Sequence, residues 1–153
     1  AWKQRTACNL FPEHVKLAAL FMDCGVPILI QHNEKYEYAF ISANGFVWPN
    51  ILGEDKRFDT DHAVVGYMAA RYWKLPDYVC QAVRWHHDAI NVNDQSATLV
   101  AILQTAQHIY NVHAMKDDSD WETQEAVALR EIGVSKEGLR EFEEDIVDRC
   151  RNL

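Results

Sequence analysis

Histidine and carboxylate residues that could bind a metal ion occur at three places in the sequence. The densest group is His86-His87-Asp88, His62 lies upstream of it, and Asp23 follows an apolar segment. Imidazole and carboxylate ligands together suit Zn, Fe, Mn or Ni when three or more converge from separate helices. Consecutive helix residues point about 100° apart, so His86 and His87 cannot close a site by themselves. His62 and Asp23 are the natural additional ligands.

Each of these residues also has an ordinary structural explanation. A histidine pair at a helix end more often complements the helix dipole than binds a metal. Asp61, beside His62, can cap the helix that begins there, and Asp23 can hydrogen-bond to the backbone where its helix ends. Two other histidines, His108 and His113, are five residues apart on one predicted helix. They therefore do not share a face, and we expect both to be exposed to solvent.

Helices must position these side chains, because apolar residues recur at helical spacing for most of the chain and alternation at period two is hard to find. The segment 13–23, which follows Pro12, is too apolar for an exposed helix and predicts a buried central helix that stops at Gly25. Residues 27–40 predict one or two shorter helices, and residues 43–50 predict a loop.

Further helices are predicted toward the C-terminus. Thr60 or Asp61 can cap a helix that reaches about Lys74, and Pro76 lies in the first turn of the helix that leads to the histidine pair. The inner face of the first of these helices is predicted to contain Val64, Val65, Met68, Ala69 and Tyr72. The remaining predicted helices are 96–113, 121–132 with a capping box at Ser119 and Glu122, and 135–150. The fold class is therefore all-α, a bundle of about seven helices.

Composition limits the classes of partner. The chain has 153 residues, a formal net charge of −8 and 48% hydrophobic residues, which indicates a folded acidic domain rather than a disordered segment. An acidic surface repels phosphate backbones and anionic lipids, so neither nucleic acid nor membrane is an expected partner. The scattered cysteines and the lack of a long apolar run or a signal peptide are typical of a cytoplasmic protein with reduced thiols. No glycine-rich phosphate loop and no GxSxG motif is present.

Four segments, in this order and with plausible gaps, resemble the HDOD domain of the HD superfamily, whose segments read roughly LLHDIG, dHaevGa, W-x-LP and aI-x-x-HH. The matching segments are Leu20–Leu29, Asp61–Gly66, Tyr72–Pro76 and Ala82–Asp88. Glu54 also falls where the family often has a glutamate before the histidine. The resemblance extends from about Val15 to His113. It implies a single helical domain over residues 1–153, expected to be a fragment of a longer chain because the family's full form has another helical half.

The resemblance also implies a degenerate metal site. In HD-superfamily hydrolases an early histidine, a His-Asp doublet and a late aspartate hold the metal. Here the doublet is Met22-Asp23, Gln4 stands in the place of the early histidine, and the segment 103–105 has no carboxylate for the late aspartate. Thioethers are poor ligands for hard or borderline divalent ions. The residues that match second-ion positions of two-metal relatives are His62, His86 and His87.

The function implied by this resemblance is a non-catalytic output module of bacterial signalling proteins. We expect it to act through contacts with signalling or regulatory proteins, or through a small ligand in a vestigial pocket. That pocket is predicted to contain Asp23, His62, His86 and His87, with no catalytic residue, no metal and no cofactor. A bound nucleotide would need cations, for which Arg71, Lys74 and Arg84 are the nearby candidates.

Two alternatives stay open at this point. The chain could be a metal-dependent phosphohydrolase of nucleotides or phosphodiesters that uses the same four residues, with Asp88 as a further carboxylate. It could also be a purely structural interaction domain.

Overall fold

The computed structural model describes residues 10–33, 36, 41–42, 45–46, 51–92, 94–116 and 118–152. Eight helices lie in these ranges: α1 Pro12–Phe21, α2 Gly25–His32, α3 Ile51–Phe58, α4 His62–Tyr72, α5 Asp77–Trp85, α6 Asp94–His113, α7 Ser119–Ile132 and α8 Leu139–Arg151. Two short antiparallel strands, β1 Ile41–Ser42 and β2 Gly45–Phe46, pair Ile41 with Phe46. The predicted all-helical class is confirmed. The predicted loop over residues 43–50 contains strand β2, and the rest of that loop lies outside the described residues.

The described part of the chain forms two compact units. The first contains α2 to α5 and the larger part of α1, and the second contains α6, α7 and α8. No helix among the described residues is both long and apolar enough to cross a bilayer. The thiols of Cys24, Cys80 and Cys150 are free.

In the first unit, helices α2 and α4 approach each other closely at two glycines. A Cβ atom on Gly25 would lie 1.9 Å from the carbonyl oxygen of His62, and one on Gly66 would lie 3.2 Å from the backbone nitrogen of Gly25. The Cys24 thiol donates to the Gly66 carbonyl oxygen at 3.6 Å. Only residues without a side chain allow backbones to come this close, so the two glycines fix where α4, and with it His62, begins.

Helix α4 starts as predicted, but its buried face differs from the prediction. The Asp61 carboxylate accepts a hydrogen bond from the Val64 backbone N–H at 2.7 Å, which confirms the predicted cap. Met68 and Tyr72, however, are 63% and 83% exposed. The fully buried face instead carries His62 and the small residues Ala63, Gly66 and Ala70. The prediction was wrong because the large apolar residues lie beside this contact, while small residues form it.

Helix α1 has the predicted position but not the predicted burial. Ala18 is its one buried residue, and Leu20 is 75% exposed. The Phe21 ring contacts the Trp73 ring with 5.7 Å between centroids. The prediction of a buried central helix was therefore wrong, because the apolar content of a segment does not say whether another part of the chain covers it.

The second unit has its own apolar core, formed by Ala101, Trp121, Ala128, Leu129 and Leu139. Gly133 ends α7 in the left-handed conformation, with φ of 72°, directly after residue 132, where the helix was predicted to end. Helix α7 begins at Ser119 itself, so the N-cap position belongs to Asp118, whose side chain makes no capping hydrogen bond. The last helix begins at Leu139 rather than at Ser135, because residues 136–138 form a turn.

Candidate metal and ligand site

The structure brings together the four side chains that the sequence predicted to share a pocket. One potential ligand atom from each of Asp23, His62, His86 and His87 lies within 4.8 Å of those of the others. Asp23 lies in the turn after α1, and His62 is the first residue of α4. The histidine pair follows Trp85, the last residue of α5, in the turn that continues this helix.

Asp23 and His62 face each other from different environments. The His62 Nε2 atom lies 3.7 Å from the Asp23 carboxylate, with the histidine side chain fully buried and the aspartate side chain 28% exposed. The distance is longer than a hydrogen bond. The two groups are therefore near enough to share an ion or a polar ligand without already being bonded to each other.

His62 is held from its other side by a buried glutamate. The His62 Nδ1 atom lies 2.6 Å from Glu54 Oε2, and the His62 backbone N–H donates to the same oxygen at 2.9 Å. The other carboxylate oxygen of Glu54 accepts a hydrogen bond from the Tyr36 hydroxyl. All three side chains are fully buried. A buried carboxylate must be hydrogen-bonded to be tolerated, and three donors meet that requirement here.

The protonation of this group follows from its contacts. Burial would raise the pKa of Glu54, but the hydrogen bonds and charge of His62 and the Tyr36 hydrogen bond outweigh burial and keep its pKa below the ordinary value. Burial and the adjacent Glu54 raise the pKa of Tyr36 far above its ordinary value. Glu54 is therefore an anion that accepts, and Tyr36 is a neutral hydroxyl that donates.

Carboxylates lie next to ring nitrogens of His62 and His87. Because an ionised carboxylate can only accept, the Nδ1 atom of His62 carries a hydrogen directed at Glu54, and the Nε2 atom faces Asp23. The His87 Nδ1 atom likewise lies 3.0 Å from a carboxylate oxygen of Asp120. The His86 ring is buried and lies 4.2 Å from the His87 ring between centroids. Carboxylates behind two of the three histidines are the usual arrangement around metal-binding imidazoles.

A sequence model of the HDOD domain family matches residues 3–89, more than half of the chain. The chain belongs to the HDOD domain family. The matched region contains all four pocket residues together with Glu54 and Tyr36. The matched region begins and ends earlier than the predicted extent of Val15 to His113. Gln4, which stands in the place of the family's early histidine, lies outside the described residues. No curated protein and no solved structure matches this HDOD chain significantly.

The donor set of this HDOD pocket fits a borderline divalent ion. Three imidazoles and one carboxylate are ligands that Zn, Fe, Mn, Co and Ni accept. A four-coordinate zinc ion with bonds of about 2.1 Å needs its ligand atoms roughly 3.4 Å apart. The observed spread of up to 4.8 Å is close enough for small side-chain rotations to reach that spacing. The four residues together are therefore sufficient, in number and type, to hold one ion.

Other predicted contributors to the pocket are engaged elsewhere. The Asp88 carboxylate accepts hydrogen bonds from the backbone N–H groups of Ile90 and Asn91 at 3.1 and 3.3 Å, which stabilises the turn after the histidine pair. Arg71 pairs with Asp77 at 2.9 Å, and the Arg84 guanidinium lies 4.6 Å from the centre of the Trp85 ring.

The residues behind the histidines have only a partial signal in the sequence. The family resemblance places a glutamate at Glu54 but does not imply a role for it. Tyr36 and Asp120 were missed, because each lies far along the chain from the histidine group it serves, and no spacing rule connects a tyrosine with a glutamate 18 residues later.

His108 corrects another prediction. The residue is 9% exposed rather than solvent-exposed, and its ring stacks on Trp121 with 4.2 Å between centroids. Its Nδ1 atom contacts the Asp118 carboxylate, and its Nε2 atom lies 2.8 Å from Glu143 Oε1. Because both ring nitrogens are occupied by carboxylates, His108 is a structural crosslink and not a free ligand. His113 is exposed, as predicted.

Proposed function

We propose that this HDOD domain is a non-catalytic regulatory module of a signalling protein. It acts through protein contacts, or through a small ligand or single ion in the pocket of Asp23, His62, His86 and His87. The observation that carries the proposal is the composition of this pocket, in which Asp23 is the one carboxylate of the clustered ligand group. The finer terms, namely signalling, a bacterial source and a cytoplasmic location, rest on the resemblance described above.

The missing ligands argue against hydrolysis. Metal-dependent hydrolases need an ion that activates a water molecule, and Met22 occupies the histidine position of the doublet. The segment that would supply the late aspartate lies inside α6, where the Thr105 hydroxyl donates to the Ala101 carbonyl oxygen at 2.7 Å. Gln104 is buried there, and its Oε1 atom has no hydrogen-bond partner among the described residues. A neutral amide in this segment does not replace a carboxylate.

An assay of phosphoester hydrolysis tests the proposal. We expect no release of product from a nucleotide, a phosphodiester or a generic phosphomonoester, with Mn²⁺, Fe²⁺ or Zn²⁺ supplied, above the rate of the His62→Ala variant. His113→Ala, which changes an exposed histidine, is the matched control for the purification and the metal background. Hydrolysis by the wild type and by His113→Ala that disappears in His62→Ala would overturn the proposal.

The second candidate is a metal-dependent phosphohydrolase, which the four clustered ligands favour. A divalent ion held there would supply Lewis-acid polarisation of a phosphoryl oxygen. Asp23 would be the negatively charged ligand, and the three imidazoles would complete the coordination. Asp88 has no part in this candidate, because its carboxylate is committed to the turn that it caps.

We expect the pocket to bind one equivalent of Zn²⁺ only weakly, with a micromolar dissociation constant or weaker, because ligand atoms that lie up to 4.8 Å apart must move to reach the spacing of about 3.4 Å that the ion needs. His62→Ala should weaken binding about tenfold or more, since it removes a ligand and its supporting carboxylate contact. Isothermal titration calorimetry, after treatment with chelator, measures both values. An unchanged affinity in His62→Ala would place the bound ion elsewhere.

A further inference from the structure

We propose that Tyr36 is a positioning residue for the pocket: through Glu54 it holds the His62 ring in the orientation in which Nδ1 contacts Glu54 and Nε2 faces Asp23. The inference deepens the proposed ligand-binding role of this pocket and rests on it. The observation is a continuous buried chain of contacts from the Tyr36 hydroxyl, through both oxygens of Glu54, to His62.

Packing fixes the first member of this chain. The Tyr36 side chain is fully buried in an apolar cluster with Val26 and Leu29. Its ring stacks on that of Phe58, with centroids 5.3 Å apart and an interplanar angle of 28°. Phe58 is the last residue of α3, the helix that also carries Glu54. The hydroxyl therefore has little freedom to turn away from the Glu54 carboxylate.

The two carboxylate oxygens of Glu54 bind different neighbours, Tyr36 and His62. Oε1 accepts from Tyr36, whereas Oε2 accepts from the backbone N–H of His62 and contacts its Nδ1 atom. Rotation of the carboxylate would break bonds at both oxygens. Buried hydrogen bonds of this kind, once made, are costly to leave unpaired, so the Tyr36 bond stabilises the orientation in which Oε2 faces the histidine.

The tautomer of His62 is the property that this orientation controls. With Oε2 as acceptor, Nδ1 keeps its hydrogen, and Nε2 is the ring nitrogen that lies 3.7 Å from the Asp23 carboxylate. If Oε1 loses its donor, the carboxylate can turn, and the alternative tautomer with the hydrogen on Nε2 becomes accessible. That tautomer cannot donate an electron pair to a cation at Nε2, so the pocket would lose one ligand.

Tyr36→Phe tests the inference with two separate readouts. Nitrogen NMR of the histidine rings reports the tautomer of His62, assigned by comparison with His62→Ala, and calorimetry reports Zn²⁺ affinity. In Tyr36→Phe we expect a mixture of His62 tautomers and a Zn²⁺ affinity lower by roughly three- to tenfold. This loss is smaller than the loss of about 10- to 100-fold that follows when a residue in direct contact with a metal ligand is replaced. Glu54→Gln should fall within that range. Tyr72→Phe, at an 83% exposed tyrosine of the same unit, should change neither readout.

The outcomes separate this inference from the proposed function. If the wild-type protein binds no Zn²⁺, the ion is no longer part of the proposed function. A changed His62 tautomer in Tyr36→Phe would still support the positioning role in that case. A Tyr36→Phe protein that is less stable, yet has the wild-type tautomer and affinity, would overturn the inference and make Tyr36 a packing residue. If Tyr36→Phe does not fold, unchanged readouts in Glu54→Gln would overturn it equally.

Discussion

Replacement of Gly25 by alanine should lower the free energy of unfolding by about 3 kcal/mol or more. The new Cβ atom would lie 1.9 Å from the carbonyl oxygen of His62 and 2.8 Å from the backbone nitrogen of Gly66. Both atoms belong to the backbone of α4, so no side-chain rotation relieves the contact. Alanine improves helix propensity by only about 1 kcal/mol over glycine, and the clash therefore decides the sign. Urea denaturation followed by circular dichroism measures the change.

Gly138→Ala is the control for this substitution. A Cβ atom there would lie 3.2 Å from the Ser135 hydroxyl oxygen, which belongs to a side chain that can move. We expect a change within about 0.5 kcal/mol, as for ordinary surface substitutions. Equal stability of the Gly25→Ala and Gly138→Ala proteins would show that α2 and α4 do not approach as closely as the structure indicates.

His108→Ala should destabilise the second unit by about 2–4 kcal/mol. The substitution leaves the Asp118 and Glu143 carboxylates, with side chains 22% and 16% exposed, without their shared partner. Removal of one member of a buried pair costs about 3–5 kcal/mol, and the partial exposure of these carboxylates reduces that figure. The loss of the ring stacked on Trp121 adds to the cost. Thermal and urea denaturation of the purified variant provide the measurement.

His113→Ala serves as the matched control, since it removes an exposed histidine from the same helix. Its stability should stay within about 0.5 kcal/mol of the wild type. Glu143→Gln should lie between the two variants, because the amide oxygen still accepts a hydrogen bond while the charge is lost. A loss below about 1 kcal/mol in His108→Ala, no larger than a typical single hydrogen bond, would contradict the crosslink described above.

Local features of the fold could be predicted because neighbouring residues determine them. Asp61 caps α4 through a carboxylate whose target lies three residues away, and Gly133 ends α7 because glycine adopts a positive φ without strain. The order and spacing of the motif segments likewise predicted a common pocket for Asp23, His62, His86 and His87, and potential ligand atoms of these four residues lie within 4.8 Å of one another.

Properties that depend on distant contacts could not be predicted in this way. The burial of α1 and of one face of α4 depends on which surfaces pack together. At the close contact of Gly25 with α4, small residues are buried in place of the large apolar residues that usually form a helix contact. The burial of His108 depends on carboxylates 10 and 35 residues away. The helical period alone gives no information about such partners. The family match supplies the fold relationship, but the support of His62 by Glu54 and Tyr36 is visible only in the folded structure.

The contacts around Glu54 also bear on the order of folding. Its partners His62 and Tyr36 lie 8 and 18 residues away in the sequence, so closing these loops costs little chain entropy. Structures dominated by such short-range contacts fold quickly. The polar support of the pocket is thus expected to assemble together with α3 and the start of α4, as an early event of the folding reaction.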